Sequence, residues 1–191
     1  LIEQEYRKRL TDVADVIDLI DATDQEFILS LGSADAFLGY HIINEGHLKA
    51  APSLKVIATP SVGYDSIDVV AATRRKIAVC NTPGVLTGAV ADLTVALIIM
   101  LSRRLLQYET YVRNGSWSEK KPSLQLANDI AGKTLGVIGF GRIGQEVARR
   151  MVHMNMNVIW YDKFTDIPQT TPTGPYRPLD RLLTDADFVT I

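Results

Sequence analysis

At 191 residues, the chain is long enough to form one large domain or two small ones, each with a buried core. Its 20 lysines and arginines nearly balance 22 aspartates and glutamates, so the charge does not favour binding to nucleic acid or to an anionic membrane. A single cysteine, Cys80, excludes an internal disulfide framework and suits a reducing compartment.

The most apolar stretch, residues 93–101, is much shorter than the roughly 20 residues that span a bilayer. The first residues also lack the apolar core of a signal peptide. We therefore expect a cytoplasmic protein with no membrane partner.

The first part of the chain alternates strand and helix patterns at short spacing, which predicts an α/β layer structure with a parallel sheet. Strands are predicted over residues 36–39, 54–58 and 77–80, and helices over 44–51 and 66–75. Cys80 then falls in an apolar strand and is interpreted as a buried residue. Residues 81–84, Asn-Thr-Pro-Gly, carry turn chemistry and predict a hinge between two domains, 1–83 and 84–191.

After this hinge, residues 89–113 are predicted to form one long helix. Because it is apolar almost all round from 93 to 101, its first half should be buried between two domains or two subunits. Asn114 and Gly115 predict a left-handed cap at its C-terminal end. The polar residues 116–128 should form a surface connection.

Residues 139–144, Gly-Phe-Gly-Arg-Ile-Gly, follow an apolar strand and precede a helical pattern, which is the arrangement that binds a dinucleotide diphosphate. Gly139 would permit the tight turn, Gly141 would let the backbone approach the phosphates, and Gly144 would let helix and strand pack closely. The alternative is a glycine turn in an α/β domain that binds no nucleotide.

The residues on both sides of this motif agree with the dinucleotide interpretation. Apolar residues recur in the preceding strand (Leu135, Val137, Ile138) and at helical spacing afterwards (Ile143, Val147, Met151, Met154). A second strand, residues 158–161, ends at Asp162, near the separation of about 20 residues at which an acid meets the ribose. This carboxylate favours NAD over NADP, whose 2′-phosphate it would repel, while the neighbouring Lys163 would offset part of the repulsion and leaves NADP possible.

Residues 165–178 contain four prolines, so an irregular loop is predicted to replace the usual crossover helix. A short helix over 179–186 and a strand over 187–191 should follow.

Four further motifs carry a family resemblance: residues 62–68, 81–87, 112–117 and 132–136. Together with the glycine motif they resemble the D-isomer-specific 2-hydroxyacid dehydrogenases, and most of all the glyoxylate and hydroxypyruvate reductase branch, from about residue 36 to 191. The resemblance implies a Rossmann-type doubly wound parallel sheet over 84–191 and a flavodoxin-like substrate-binding domain over 1–83. Both would be incomplete, because the chain looks truncated at both ends.

In this family the backbone N–H groups of Val62 and Gly63 would hold the substrate carboxylate, as consecutive amides in a loop can. The alternative is a plain turn with Gly63 at a positive backbone angle. For the cofactor, the resemblance implies a diphosphate loop and a ribose contact formed by Gly139, Phe140, Gly141, Arg142, Ile143, Gly144, Asp162 and Lys163.

The activity implied is hydride transfer between NAD or NADP and a small 2-oxoacid or D-2-hydroxyacid. Its catalytic Arg, Glu and His are expected beyond Ile191, so no catalytic residue is assigned, and the fragment alone is expected to be inactive. The three histidines, His41, His47 and His153, are interpreted as surface or packing residues, and none has the spacing of a metal site. A homodimer is expected, with the 89–113 helix and the segment around Trp117 at the contact.

Two alternatives stay open. One is an NAD-sensing, corepressor-like binding protein of the same fold, and the other is an NAD-binding fragment without catalytic activity.

Overall fold

Parallel strand pairing dominates the structure, a computed structural model that describes residues 4–122, 124–164 and 170–191. The chain divides into two units, Leu1–Pro83 and Gly84–Ile191. Each unit contains its own three-stranded parallel sheet and its own buried apolar cluster. The α/β class expected from the sequence is therefore confirmed.

Unit 1 alternates helices and strands, with strand order β1-β2-β3 in its sheet. Its elements are α1 (Gln4–Thr11), α2 (Asp24–Ser33), β1 (Ala36–Leu38), α3 (Glu45–Ala50), β2 (Val56–Ala58), α4 (Val69–Arg74) and β3 (Ala78–Cys80). The three predicted strands and the two predicted helices are confirmed, with ends that differ by up to three residues.

The sequence patterns did not identify α1 and α2. Helix α2 begins with a reciprocal cap in which Thr23 accepts from the N–H of Glu26 and the Glu26 carboxylate accepts from the N–H of Thr23. This Thr-x-x-Glu spacing was the available signal for the start of the helix.

One face of the β1-β2-β3 sheet contributes to the apolar cluster of unit 1, whereas the side chains of the other face are exposed or half-buried. Phe37, Ile57 and Val79 contribute to the apolar cluster of unit 1, whereas Leu38 and Cys80 are exposed. The prediction of a buried Cys80 is therefore wrong. Successive strand residues point to opposite faces, and Cys80 belongs to the uncovered face of an edge strand.

Unit 2 has strand order β5-β4-β8, all parallel. Its elements are α5 (Thr87–Ser102), α6 (Leu105–Arg113), β4 (Thr134–Ile138), α7 (Arg142–His153), β5 (Asn157–Tyr161), β6 (Thr170–Thr171), β7 (Gly174–Pro175), α8 (Leu179–Asp185) and β8 (Phe188–Thr190). Because the chain adds β5 on one side of β4 and β8 on the other, the carboxyl end of β4 is a topological switch point, where open α/β sheets bind ligands.

Helices α7 and α8 cover opposite faces of this sheet. A side chain added at Gly136 would meet Leu182 of α8, whereas Val137, which points to the other face, lies against Gly144 of α7. Leu182, Val137 and Val147 are almost fully buried. This two-sided cover confirms the doubly wound arrangement.

The predicted helix over 89–113 is instead two helices, α5 and α6. Arg104 between them adopts left-handed backbone angles (φ 51°), and the carbonyl of Ser102 accepts from Asn128 N–H rather than continuing the helical ladder. The cap at Gly115 (φ 80°) is confirmed. The first half is buried on one side, at Ala91 and Ile98, but among the described residues Leu93, Leu97 and Leu101 are exposed.

The described part of the proline-rich segment has no crossover helix. Residues 170–175 form the β6–β7 hairpin, and Tyr176 then makes an isolated parallel bridge to Trp160 of β5. The remainder of the predicted loop, residues 165–169, lies outside the described residues. Across the described ranges, no helix has the length and apolar character needed to cross a bilayer.

Candidate functional site

The loop after β4 turns sharply at Gly139. This glycine has a φ of 91°, which side chains of L-residues rarely allow, and its N–H donates to Tyr161 O at the end of β5 across 2.8 Å. Gly141 is the residue before α7, which begins at Arg142. The whole predicted motif therefore joins the carboxyl end of β4 to the N-terminus of α7.

The other two glycines of the loop differ in the space around them. A Cβ at Gly144 would overlap the carbonyl oxygen of Gly139 and approach Val137 to 3.1 Å, so the helix passes too close to the loop for a side chain. A Cβ at Gly141 would meet no described atom within 4 Å. The surface at Gly141 is therefore open to a ligand.

Four consecutive amides at this helix start have no partner in the part of the chain that the structure describes. Within the described residues, no acceptor receives a hydrogen bond from the N–H groups of Gly141, Arg142, Ile143 and Gly144. The first N–H groups of a helix lack intrahelical acceptors, and the aligned peptide dipoles make this end of the helix positive. An anion is the partner that such a row of amides favours.

Asp162 lies beside this loop and is bonded to it. Its Oδ2 accepts from Phe140 N–H across 2.7 Å, and its Oδ1 accepts from Phe164 N–H across 3.0 Å. The carboxylate thus stands, half-buried, next to the free amides. Lys163 is exposed, and its Nζ lies 5.1 Å from the centre of the Phe164 ring.

Both backbone polar groups and the ring of Phe140 make contacts, which the sequence did not indicate. Its ring is buried and stacks on Trp160, with centroids 4.4 Å apart, and its carbonyl accepts from Gln145 Nε2 across 2.9 Å. Trp160 in turn donates through Nε1 to Gly174 O. Gln145 was missed because a glutamine in the first turn of a helix has no distinctive sequence pattern.

Charged side chains on α7 form a network behind the loop. Glu146 pairs with Arg149 and Arg150, and the hydrogen bond from Arg149 is the main cause that lowers the pKa of Glu146 to about 2. Arg150 Nε also lies 2.9 Å from Asp92 Oδ1 of α5. This last pair joins α7 to α5.

The predicted substrate residues Val62 and Gly63 belong to unit 1, in a loop whose carbonyls are engaged. Asn81 Nδ2 donates to Val62 O across 2.8 Å, and Ser61 Oγ donates to Gly63 O. No described acceptor takes the N–H of Val62 or Gly63. Gly63 does not have a positive φ. The alternative of a plain turn with Gly63 at a positive backbone angle is therefore wrong.

The three histidines are all engaged in local contacts. His41 packs on Phe27 with ring centroids 3.8 Å apart, His47 Nδ1 accepts from Asn44 N–H at the start of α3, and His153 Nδ1 lies 2.7 Å from Arg149 O. The described residues hold no cluster of His, Cys, Asp or Glu suited to a metal ion.

Comparison with known proteins gives concordant matches. Residues 95–191 match the family model of the D-isomer specific 2-hydroxyacid dehydrogenase, NAD binding domain. A glyoxylate reductase from Thermococcus gammatolerans is 43% identical over 147 residues, which are 74% of this chain and 44% of that protein. The chain therefore spans less than half of this relative's length.

Two solved structures share the fold over nearly the whole chain. A D-lactate dehydrogenase from Aquifex aeolicus, complexed with NAD and lactic acid, is 31% identical with a TM-score of 0.84, covering 98% of this chain and 57% of that one. A glyoxylate reductase from Paecilomyes thermophila is 28% identical with a TM-score of 0.85, covering 98% of this chain and 60% of that one.

Proposed function

Because the chain belongs to the D-isomer-specific 2-hydroxyacid dehydrogenase family, we propose that its protein transfers a hydride between a nicotinamide dinucleotide and a small 2-oxoacid. Glyoxylate and hydroxypyruvate are the favoured substrates, since the relatives matched include glyoxylate reductases. The observation that carries the proposal is the row of four amides, unpaired among the described residues, that lies beside the Asp162 carboxylate.

The residues present fit a dinucleotide. The free N–H groups of residues 141–144 would bind the diphosphate, and the exposed Arg142 guanidinium is placed to pair with it. The open surface at Gly141 lets the phosphates approach the backbone. The cofactor-binding set is Gly139, Phe140, Gly141, Arg142, Ile143, Gly144, Asp162 and Lys163.

Asp162 supports NAD as the preferred cofactor. Its carboxylate can accept hydrogen bonds from the ribose hydroxyls and repels a 2′-phosphate. Lys163 Nζ lies near the Phe164 ring, where its charge only partly offsets that repulsion, so NADP remains a weaker second cofactor. The bound nicotinamide supplies the hydride.

For the substrate, we assign carboxylate binding to the N–H groups of Val62 and Gly63. Asn81 Nδ2 donates to Val62 O, which belongs to the same peptide group as Gly63 N–H, and Thr82 N–H donates to Ser61 O, which belongs to the same peptide group as Val62 N–H. These two bonds fix the directions of both amides. Consecutive free amides form an anion-binding concavity without a charged side chain. Residues 1–83 are accordingly the substrate-binding domain, and residues 84–191 are the NAD-binding domain.

The protein is also proposed to act as a homodimer through α5. Leu93, Leu97 and Leu101 recur at helical spacing on one face, with exposed fractions of 61%, 49% and 74%. An apolar face of this kind is stabilised when a second copy covers it.

The test is a pair of measurements on the protein that carries this sequence. Calorimetry should show binding of NADH that is tighter than binding of NADPH, and NADH oxidation should depend on added glyoxylate or hydroxypyruvate. Binding of NADH without turnover of any 2-oxoacid would instead favour an NAD-sensing binding protein. Equal catalytic efficiency with NADH and NADPH would contradict the role given to Asp162.

A further inference from the structure

We propose that Asp162 and Gln145 act as positioning residues that clamp Phe140 and so aim the free amides of the glycine loop. Gln145 itself need not touch the cofactor. This inference rests on the proposed function, because it concerns how the loop binds a dinucleotide. It adds Gln145 to the site and gives Asp162 a second task besides contact with the ribose.

The clamp acts on the two peptide groups that flank Phe140. Asp162 Oδ2 accepts from Phe140 N–H, which belongs to the peptide joining residues 139 and 140. Gln145 Nε2 donates to Phe140 O, which belongs to the peptide joining residues 140 and 141. Because each peptide group is planar, a hydrogen bond to one of its atoms fixes the direction of the other.

The Gln145 bond therefore sets the direction of Gly141 N–H. In a trans peptide, the carbonyl oxygen and the N–H point to opposite sides, so holding Phe140 O turns Gly141 N–H away from Gln145. Gly141 N–H is the first of the four unpaired amides. Its orientation decides whether the row faces one diphosphate.

The side chain of Phe140 supplies the third point of attachment. Its ring is 1% exposed and stacks on Trp160, which is also 1% exposed. The loop therefore cannot turn about Phe140 without unstacking the ring or breaking a hydrogen bond. Preorganised amides bind an anion more tightly than amides that must first be ordered.

If the clamp exists, replacing Asp162 should change dinucleotide binding in two different ways. If Asp162 acts only at the ribose, removing its carboxylate weakens the binding of NADH and raises the affinity for NADPH. If it also holds the loop, removing the carboxylate loosens the amides that bind the diphosphate shared by NADH and NADPH. Gln145 offers the cleaner test, because its replacement changes no charge.

The experiment compares Gln145→Met with Asn157→Met, which also removes one neutral bond from a side-chain amide to a backbone carbonyl, Gly132 O, but at the amino end of β5, away from the loop. Loss of one neutral hydrogen bond, about 0.5–1.5 kcal/mol, corresponds to an affinity that is weaker by about two- to thirteenfold. We expect Gln145→Met to weaken the binding of NADH and of NADPH by the same factor in calorimetry, and Asn157→Met to leave both affinities unchanged. Unchanged binding in Gln145→Met would overturn the proposal.

A second readout needs no cofactor. Hydrogen exchange of the Phe140 amide, followed by NMR on the free protein, should be about tenfold or more faster in Asp162→Ala than in the wild type or in Asn157→Met, because a hydrogen bond to a charged group contributes roughly 1.5–3 kcal/mol. Equal exchange rates would overturn the clamp. Failure of the wild type to bind either dinucleotide would contradict the proposed function, while the exchange rates would still decide whether the clamp exists.

Discussion

The backbone N–H of Phe140 donates to the carboxylate of Asp162 across 2.7 Å, although 22 positions separate the two residues in the chain. Parallel pairing of β4 with β5 brings the ends of both strands to the same edge of the sheet. The acid and the glycine loop are therefore one structural unit before any ligand binds.

Gly144→Ala should destabilise the fold. The added methyl group would overlap Gly139 O, and because that atom belongs to the backbone, the loop or α7 must shift. Overpacking of this kind costs roughly 1–3 kcal/mol in the free energy of unfolding. Chemical denaturation of the variant measures this loss, and stability equal to that of the wild type would contradict the close approach.

Gly141→Ala is the matched variant with the opposite outcome. Its methyl group meets nothing in the described residues, so stability should fall by no more than about 1 kcal/mol, as for alanine at the start of a helix. The methyl group occupies the space through which the diphosphate approaches, and we expect at least about tenfold weaker binding of NADH. Calorimetry that shows wild-type affinity would refute the diphosphate assignment.

The ion pairs of Glu146 should stabilise the protein at neutral pH and lose this effect in acid. The pKa of Glu146 is lowered from 4.5 to about 2, so the stabilisation is present above pH 4.5 and disappears as the pH falls toward 2. Glu146→Gln should be less stable than the wild type at pH 7, with a difference that shrinks below pH 4.5. In NMR, a carboxyl titration midpoint near 4.5 would contradict the predicted shift.

The ion pair between Asp92 and Arg150 should couple α5 to α7 only weakly. Asp92 is 71% exposed, and an exposed pair contributes at most about 1 kcal/mol. A double-mutant cycle with Asp92→Asn and Arg150→Met should give a coupling energy of about 0.2–1 kcal/mol. Asp92→Glu, which retains the charge, should keep most of it, whereas a coupling of zero would mean that the pair is not formed in solution.

Leu97→Glu on α5 should weaken dimerisation. The substitution places a charge in the middle of the exposed face of Leu93, Leu97 and Leu101, where a second copy is proposed to pack. Sedimentation should show a dimer for the wild type and a larger monomer fraction for the variant. Leu29→Glu, at an exposed position on α2, is the control and should leave the dimer intact.

The features that were predicted most accurately are those that depend on residues close together in the sequence. β4, α7 and β5 were found because their apolar spacing and glycines are local signals, and the same holds for the cap at Gly115. The break between α5 and α6 is accompanied by a hydrogen bond from Asn128 N–H to Ser102 O, and a contact between residues so distant in the chain leaves no local sequence signal.

Burial and side-chain hydrogen bonds were less accessible to the sequence. The exposure of Cys80 depends on which elements cover a sheet face, and an apolar strand pattern does not specify its cover. The bond of Gln145 to Phe140 depends on the angle at which α7 leaves the loop. Residue spacing therefore predicts neither the exposure of Cys80 nor the hydrogen bond from Gln145 to Phe140.

The contiguity of β4, α7 and β5 has a consequence for evolution and engineering. The residues proposed to bind and aim the dinucleotide lie between Gly139 and Lys163, while the proposed substrate amides belong to unit 1. Exchange of one uninterrupted stretch of gene could therefore transplant a different cofactor preference, and selection could alter redox coupling without redesigning substrate recognition.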